Sequence, residues 1–367
     1  MKNRKKGGLH AGLLLAAMIM LISLLAGCGG NNNTNATAAE ANAAETTASP
    51  ETATAEPAAE PVTVRLQLKW VPQAQFAGYF LAQDKGYYAE EGLNVEILPG
   101  GPDIVPEQQV AGGSAEIGVD WVASLLTSQE QEMPLVQIAQ IYQKSGLVLV
   151  SKKEAGINGP ADLKGKKVGN WMGGNEFELL ALFDKYQLDP NKDLNFTKQG
   201  FTMDQFLGGE IDAASAMTYN EYQVVLESGV KAEDLNVIDM NDEGVAMLED
   251  NLFANKEWLA DNKETAAKFV RASLKGWKDA IADPEAAVDS VMKLAEEGST
   301  SREHQLTMMT EVAKLIQPEG FDIAKLGYTD AAAFQQTADI ALKFGVIKEA
   351  SDVNEAYTNE IVEMAAE

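Results

Sequence analysis

The sequence has one cysteine, two histidines and four arginines, and each scarcity excludes a class of function. A single cysteine permits neither an intrachain disulfide nor a thiolate zinc cluster, and His10 and His304 are too few for a histidine-built centre. The 367 residues include 29 basic and 55 acidic ones, for a formal charge of −26. Nucleic-acid binders instead cluster Lys and Arg on one face. We expect no nucleic-acid partner, no metal and no cofactor.

Residues 1–27 are typical of a bacterial secretory signal peptide. Four cations within residues 2–6 precede an uncharged apolar run over 11–27, which is too short and too abruptly ended for a transmembrane helix. The run ends in Leu25-Ala26-Gly27-Cys28, which resembles the lipobox of bacterial lipoproteins. We expect lipidated Cys28 to anchor an extracytoplasmic protein to the cell membrane. The alternative is an ordinary signal peptide with an incidental cysteine.

Residues 28–61 predict a disordered tether. From 29 to 60 the chain consists mainly of Asn, Thr, Ala, Glu and Pro, without a basic or aromatic residue. Such a segment buries too little apolar surface to order itself. The rest of the chain is acidic too, but it has enough apolar residues for about two lobes of ordinary size.

From residue 62 onward the hydrophobic pattern alternates between the periods of strands and helices. Val62–Lys69 alternates apolar with polar residues, and Gln73–Lys85 carries an apolar helical stripe. The same order recurs to about residue 248, after which the chain is almost entirely helical. A repeated strand-helix order predicts an α/β fold with largely parallel sheets. We expect a first lobe of residues 62–152 plus 251–367, a second lobe of residues 153–250, and a helical C-terminal part packed on the first lobe.

Aromatic residues follow five of the predicted strands. Open α/β sheets bind ligands in the crevice outside the carboxyl ends of their strands, so rings at these positions predict a cleft that stacks on a planar heterocycle. Packing inside the core or between the lobes is the alternative for each ring. The five residues are Trp70, Trp121, Tyr142, Trp171 and Tyr219.

Carboxylates share these positions. Glu221 and Glu178 fit the N3 position of a capping box begun by Thr218 and Asn175, so we expect them to cap helices, and a ligand contact is the alternative for each. Glu176 is not needed by such a box, and we expect it to accept hydrogen bonds from the polar edge of a ligand. Asp120 is equally compatible with a helix N-cap and with a ligand contact.

An anionic ligand is disfavoured by the residues at hand. Sulfonate, nitrate and phosphate sites usually employ Arg or ordered helix-terminal amides, whereas Arg65 is the sole arginine between residues 62 and 250 and lies inside a strand. Gly100-Gly101 and Gly173-Gly174 form neither a P-loop nor a dinucleotide fingerprint.

Four segments, taken in order, resemble the substrate-binding proteins of ABC importers related to aliphatic-sulfonate binders and thiamine-pyrimidine proteins. The resemblance covers residues 62 to about 258. It implies a type II periplasmic-binding-protein fold, in which two α/β lobes close on a ligand, with crossings near 150–153 and 250–254. The segments are Leu68-Lys-Trp-Val-Pro-Gln-Ala-Gln-Phe-Ala-Gly-Tyr79, Asp84-Lys-Gly-Tyr-Tyr-Ala-Glu-Glu-Gly-Leu-Asn-Val95, Asp162-Leu-Lys-Gly-Lys-Lys-Val-Gly169 and Gly209-Glu-Ile-Asp-Ala213.

Within this family, the residues around Trp70, Gly174-Asn-Glu176 and Tyr219-Asn-Glu221 look most like receptors for formylaminopyrimidine precursors of thiamine or for riboflavin. The family's eukaryotic enzymes use an internal histidine, iron and a cysteine-rich motif that this chain lacks, so we expect no catalytic residues.

The resemblance implies a monomeric receptor that serves an ABC permease and its ATPase. Sulfonate, taurine or nitrate is the alternative ligand class. The expected ligand contacts are Trp70, Gln75, Asp120, Trp121, Tyr142, Trp171, Glu176, Tyr219 and Asn220.

Overall fold

The structure is a computed structural model that describes residues 60–172 and 174–367. The expected signal peptide, Cys28 and all but the last two residues of the tether lie outside the described residues. Among those that are described, no helix is both long and apolar enough to cross a membrane.

The first sheet has five strands in the order β2-β1-β3-β10-β4. β2, β1 and β3 are parallel, and β10 runs antiparallel to both β3 and β4. β3 and β4 are buried along their whole length, as is typical of strands covered on both faces. The strands are β1 (Val62–Gln67), β2 (Leu93–Leu98), β3 (Ile117–Asp120), β4 (Leu135–Gln140) and β10 (Asn251–Asn255).

The second sheet repeats this arrangement in the order β7-β6-β8-β5-β9. Its strands β7, β6 and β8 are parallel, while β5 is antiparallel to β8 and β9. In each sheet the antiparallel strand is the one that follows a crossing between the lobes. The strands are β5 (Leu147–Lys152), β6 (Lys167–Asn170), β7 (Asn195–Lys198), β8 (Ala213–Met217) and β9 (Leu235–Asp239).

The crossings differ in part from the expected lobe boundaries. β5 pairs with β8 and β9, so it belongs to the second lobe, although the sequence placed it in the first. The first crossing therefore spans residues 141–146 rather than 150–153, and the second spans 240–250. The error arose because a continuous apolar strand reads the same in either sheet.

Thirteen α-helices are assigned within the described ranges. The longest, α8, begins where the Asn255 side chain accepts hydrogen bonds from the backbone N–H groups of Glu257 and Trp258. The helices are α1 (Ala77–Asp84), α2 (Tyr87–Glu90), α3 (Pro106–Ala111), α4 (Val122–Glu130), α5 (Phe177–Lys185), α6 (Asp204–Leu207), α7 (Glu221–Glu227), α8 (Lys256–Ala282), α9 (Pro284–Met292), α10 (Arg302–Ile316), α11 (Ala331–Lys343), α12 (Val353–Ala356) and α13 (Glu360–Ala366).

The C-terminal helices pack mainly on the first lobe, as expected. α8 crosses α1 at two glycines, where a Cβ on Gly276 would lie 2.2 Å from the carbonyl oxygen of Gly78. Next to this crossing, Trp277 is fully buried against the edge of Tyr79, with ring centroids 5.4 Å apart. α10 and α11 also reach the second lobe through α7 and α5. The C-terminal helices therefore cover the first lobe and also contact the second.

Candidate functional site

A cleft of about 890 Å³ lies between the two lobes. It occupies the crevice outside the carboxyl ends of the parallel strands, where open α/β sheets bind ligands. Aromatic side chains from both lobes therefore share one cavity. The residues contributed at or just beyond the ends of β1, β3, β6 and β8 are Lys69, Trp70, Asp120, Trp121, Trp171 and Tyr219.

Eight of the nine predicted contact residues line this cleft. Tyr142 does not, because its side chain is fully buried behind the wall. Its hydroxyl donates to the carbonyl oxygen of Gln75 at 3.1 Å, and its ring meets the edge of Tyr219 with centroids 6.2 Å apart. Tyr142 thus supports two lining residues without facing the cavity. The eight lining residues are Trp70, Gln75, Asp120, Trp121, Trp171, Glu176, Tyr219 and Asn220.

The indole of Trp121 is held in a fixed orientation. Its Nε1 donates to Asp250 Oδ1 at 3.1 Å, and the Lys69 ammonium lies 4.5 Å from its ring centroid. Gln75 Nε2 donates to the same carboxyl group at 3.0 Å. Burial raises the pKa of Asp250 to about 7, against the opposing effects of Gln75 and Lys69. A fixed ring loses little entropy when it stacks on a ligand.

Lys69 is not available as a free cation for an anionic ligand. Its ammonium forms an ion pair with Asp120. Burial lowers the pKa of Lys69, but Asp120 more than offsets this, so that the pKa lies above its ordinary value. Asp120 also accepts from the backbone N–H of Trp121 at 2.6 Å, and α4 has no side-chain cap. The helix-cap alternative for Asp120 was therefore wrong.

The cleft lining has more acidic than basic side chains. Its lining contains two lysines and five carboxyl residues, and one of those lysines is already paired. The other, Lys198, is exposed at the end of β7. The carboxyl residues are Asp103, Glu107, Asp120, Glu176 and Glu221. A cleft of this sign suits a neutral or donor-rich ligand better than an anion.

The loop after β6 carries Trp171 and Glu176 into the cleft, and buried Asn170 organises it. The Asn170 side chain accepts from Met172 N at 2.7 Å and donates to Asn175 O at 3.0 Å. Glu176 Oε2 accepts from the backbone N–H of Gly174 at 2.9 Å, and the side chain remains partly exposed in the cleft. Glu176 therefore keeps free lone pairs for a ligand.

Glu221 and Glu178 do not form the expected capping boxes. Glu221 Oε2 accepts from Met217 N at 3.0 Å, which fixes the end of β8, and α7 begins only at Glu221 itself. Burial raises the pKa of Glu221 to about 7. Asn220, beside it, has its Oδ1 3.0 Å from His304 Nε2, and this oxygen accepts a hydrogen bond in the imidazole tautomer that carries its hydrogen on Nε2.

Glu178 instead joins a buried carboxyl pair at the crossings. Its Oε1 accepts from Met247 N at 2.7 Å, and its Oε2 lies 3.0 Å from Ser145 Oγ. The same hydroxyl lies 2.7 Å from Glu249 Oε1. Burial raises the pKa of Glu178 to about 8 and that of Glu249 well above its ordinary value. The pair links the second lobe to both crossing segments.

Phe201 and Glu107 are among the lining residues that the sequence reasoning missed. Phe201 is 52% exposed and meets Trp70 across the cleft, with ring centroids 5.1 Å apart. It lies three residues beyond β7, so a wider window at the strand ends would have found it. Glu107 is almost completely buried, but in the sequence it looks like an ordinary acidic residue in the first turn of a helix. No sequence signal marks it as part of a cavity.

Among residues 60–172 and 174–367, no group of three His, Cys, Asp or Glu side chains is arranged to hold a metal ion. The cleft lining described above likewise contains neither histidine nor cysteine. What the lining offers is aromatic surface, carboxyl groups and neutral hydrogen-bonding side chains.

Solved structures with the same architecture include several periplasmic binding proteins. The aliphatic sulphonate binding protein SsuA from Escherichia coli superimposes with a TM-score of 0.61 at 17% identity, covering 81% of this chain and 92% of that one. The two sheets of this chain share one strand arrangement. This repeat and the likeness to solved structures together assign the type II periplasmic-binding-protein fold.

Curated relatives match along most of the chain. The riboflavin-binding protein RibY of Chloroflexus aurantiacus is 28% identical over 89% of this chain and 94% of its own length. A formylaminopyrimidine-binding protein of Halalkalibacterium halodurans is 26% identical over 75% of this chain and 83% of its own. Fungal proteins named 4-amino-5-hydroxymethyl-2-methylpyrimidine phosphate synthase also match, at 24% identity in Uromyces fabae. The family model described as NMT1/THI5 like matches residues 73–287, more than half of the sequence, and the chain belongs to this family.

Proposed function

We propose that the protein is the extracytoplasmic solute-binding component of an ABC importer and that it captures a small planar nitrogen heterocycle by lobe closure. The observation that carries this proposal is the convergence of aromatic rings from both lobes in one acidic cleft. Trp70 and Trp121 come from the first lobe, and Trp171, Phe201 and Tyr219 come from the second.

Stacking between these rings would supply both affinity and selectivity for a flat ligand. Each aromatic contact contributes about 0.5–1.5 kcal/mol beyond the burial of apolar area. Glu176 and Gln75 lie at the polar edge of the cavity and can pair with ring N–H and C=O groups. The paired state of Lys69 argues against the sulfonate, taurine or nitrate alternative.

Two ligand types within this class have support from the curated relatives, namely a formylaminopyrimidine and riboflavin. Pockets for drug-sized ligands measure about 300–1,000 Å³. A cleft of about 890 Å³ lies near the upper end of that range, and a single pyrimidine ring would leave most of it unfilled. Because closure of the lobes would reduce this volume, the size of the cleft is compatible with both ligand types.

Closure about the two crossings would complete the site. A ligand that touches both lobes binds the closed state more tightly than the open one, and this difference in affinity drives closure. Trp121 is anchored to the second crossing through Asp250. Movement at that crossing would therefore shift the Trp121 ring, which stacks on the ligand.

Membrane attachment through Cys28 and delivery to a permease and ATPase are parts of the same proposal. They rest on the lipobox-like sequence and on the family resemblance. Replacing Cys28 by serine is expected to move the protein from the membrane fraction to the soluble extracytoplasmic fraction. Retention of the Cys28→Ser variant in the membrane would exclude the anchor.

A catalytic role has less support, although fungal members of the family are named synthases. The cleft residues described here supply carboxyl groups but no histidine or cysteine to serve as nucleophile or metal ligand. Of these carboxyl groups, Glu176 and Glu221 accept hydrogen bonds from backbone N–H groups, and Asp120 is paired with Lys69. We therefore propose binding without turnover.

Isothermal titration tests the proposed ligand class. The purified protein is unfolded and refolded to remove any bound ligand and is then titrated with riboflavin, formylaminopyrimidine, hydroxymethylpyrimidine, thiamine, taurine and an alkanesulfonate. We expect saturable binding of a heterocycle only. Trp121→Ala and Trp171→Ala should each weaken it by about tenfold, the equivalent of one stacking contact. Trp258→Phe, outside the cleft, should have no effect. Binding of sulfonates alone would refute the proposal.

A further inference from the structure

The cleft has a side arm within the first lobe that the aromatic walls do not account for. On α4 and at its C-cap the lining residues are Ser124, Thr127, Ser128 and Gln131, which recur at the helical spacing of one face. From the first to the last the face extends about 10 Å at 1.5 Å per residue. Val105, Glu107 and Gln108, in and just before α3, line the same cavity. We name these seven residues the side arm.

One carboxyl oxygen in the side arm lacks a partner. Glu107 is 1% exposed, and its Oε1 has no hydrogen-bond partner among the described residues. Among the described residues, eight have a buried side-chain nitrogen or oxygen without a hydrogen-bond partner. Of these eight, Glu107 is the one that lines the cleft. A buried oxygen without a partner has lost its hydrogen bonds to water and gained none in return, which destabilises the protein. A hydrogen-bond donor that enters the arm would remove this destabilisation.

The arm is polar but offers no free cation. Its helix side presents three hydroxyls and an amide, and the Thr127 hydroxyl donates to Ala123 O at 2.9 Å, which leaves its lone pairs to accept. The nearby ammonium of Lys69 is paired with Asp120. Burial and the Asp120 carboxylate raise the pKa of Glu107 well above its ordinary value, against the opposing charge of Lys69. A negatively charged group in the arm would be repelled by the Asp120 carboxylate, which already disfavours a negative charge on Glu107.

We propose that the side arm binds a neutral, hydroxyl-bearing chain attached to the planar ring system, and that it rejects a chain that ends in phosphate. The hydroxyls would donate to Glu107 and exchange hydrogen bonds with the polar face of α4. The inference rests on the proposed function and narrows it to heterocycles that carry a polyol substituent. It also makes Glu107 a specificity-determining residue, which selects between chains without touching the ring.

Three flavins distinguish binding of the polyol chain from binding of the ring. Riboflavin carries a polyol chain, lumiflavin has the same ring with a methyl group in its place, and flavin mononucleotide adds a terminal phosphate. Isothermal titration of the ligand-stripped protein should give riboflavin an affinity at least about tenfold above that of either relative, since two or more hydrogen bonds distinguish them.

Variants in the arm test the residues. Glu107→Leu, which removes the acceptor oxygens, should weaken riboflavin binding about fivefold or more, leave lumiflavin unchanged and narrow the affinity gap between riboflavin and flavin mononucleotide, whereas Glu107→Gln keeps an acceptor oxygen and should retain riboflavin binding. Gln131→Ala, at an exposed position that cannot disturb the core, should weaken riboflavin binding alone. Glu96→Leu makes the same substitution at an exposed position of β2 outside the cleft, and this control should behave as wild type.

The outcomes separate this inference from the proposed function. Equal affinities for riboflavin and lumiflavin, or equal losses for both in Glu107→Leu, would overturn the side arm as a chain-binding site. Binding of an aminopyrimidine but of no flavin would do the same and leave the proposed function standing. If neither flavins nor pyrimidines bind, the proposed function itself fails.

Discussion

The buried carboxyl pair at the crossings predicts that replacing Glu178 by glutamine will stabilise the protein at alkaline pH. Ser145 Oγ lies within hydrogen-bond distance of both Glu178 and Glu249, and it also accepts from Leu147 N at 3.0 Å. A hydroxyl has one proton to donate, so both contacts are hydrogen bonds only when one carboxyl is protonated. An amide in place of the Glu178 carboxyl group can accept from Met247 N and donate to Ser145, and thus mimics the protonated group.

The magnitude follows from the raised pKa of Glu178, about 8 in the folded protein against an ordinary 4.5. Between these values the unfolded chain loses a proton that the folded protein keeps, so the free energy of unfolding falls as the pH rises. One proton accounts for about 1.4 kcal/mol per pH unit, or on the order of 4 kcal/mol between pH 5 and pH 8. The variant has no such proton to lose.

Urea unfolding at pH 5 and at pH 8 measures this difference. Wild type and Glu178→Gln should have similar stability at pH 5, where the native carboxyl is protonated. At pH 8 the variant should be more stable by on the order of 4 kcal/mol. Glu233→Gln, on an exposed turn, controls for the loss of a negative charge. If wild type and Glu178→Gln lose the same stability between the two pH values, the shared proton at the crossing is refuted.

Two further substitutions test the packing and the ion pair. Gly276→Ala should destabilise the protein by about 1–3 kcal/mol in thermal unfolding, because its Cβ would lie 2.2 Å from Gly78 O, whereas Gly159→Ala meets nothing within 4 Å and should be neutral. Lys69→Met should lower the free energy of unfolding by roughly 2–3 kcal/mol, because it leaves Asp120 without its cation. The variant should not bind sulfonates. A gain of taurine binding on titration would contradict the role assigned to Lys69.

The positions of the aromatic residues could be predicted because strand ends are visible in the sequence. A buried strand is a short apolar run, and the residue that follows it in a parallel sheet reaches the ligand crevice. Trp70, Trp121, Trp171 and Tyr219 all followed this rule into the cleft. Tyr142 broke it because β4 ends at Gln140 and the chain then turns into the first crossing, which carries the ring into the core.

Long-range partners could not be predicted from local patterns. Glu178 and Glu221 have the spacing of capping boxes, but Glu178 meets Met247 and Ser145, which are distant in sequence, and Glu221 pairs with the preceding strand. The side arm escaped notice for the same reason, since α3 and α4 face each other only after the lobe has folded. The sequence therefore indicates where a site lies better than how its polar groups are paired.

Small-angle X-ray scattering of the ligand-stripped protein, with and without saturating ligand, tests the central claim most directly. If a planar heterocycle is captured between two closing lobes, riboflavin or a formylaminopyrimidine should reduce the radius of gyration, and taurine at the same concentration should leave it unchanged. A reduction with taurine alone, or binding of the heterocycle without any change in radius, would contradict capture of a planar ligand by closure of the cleft.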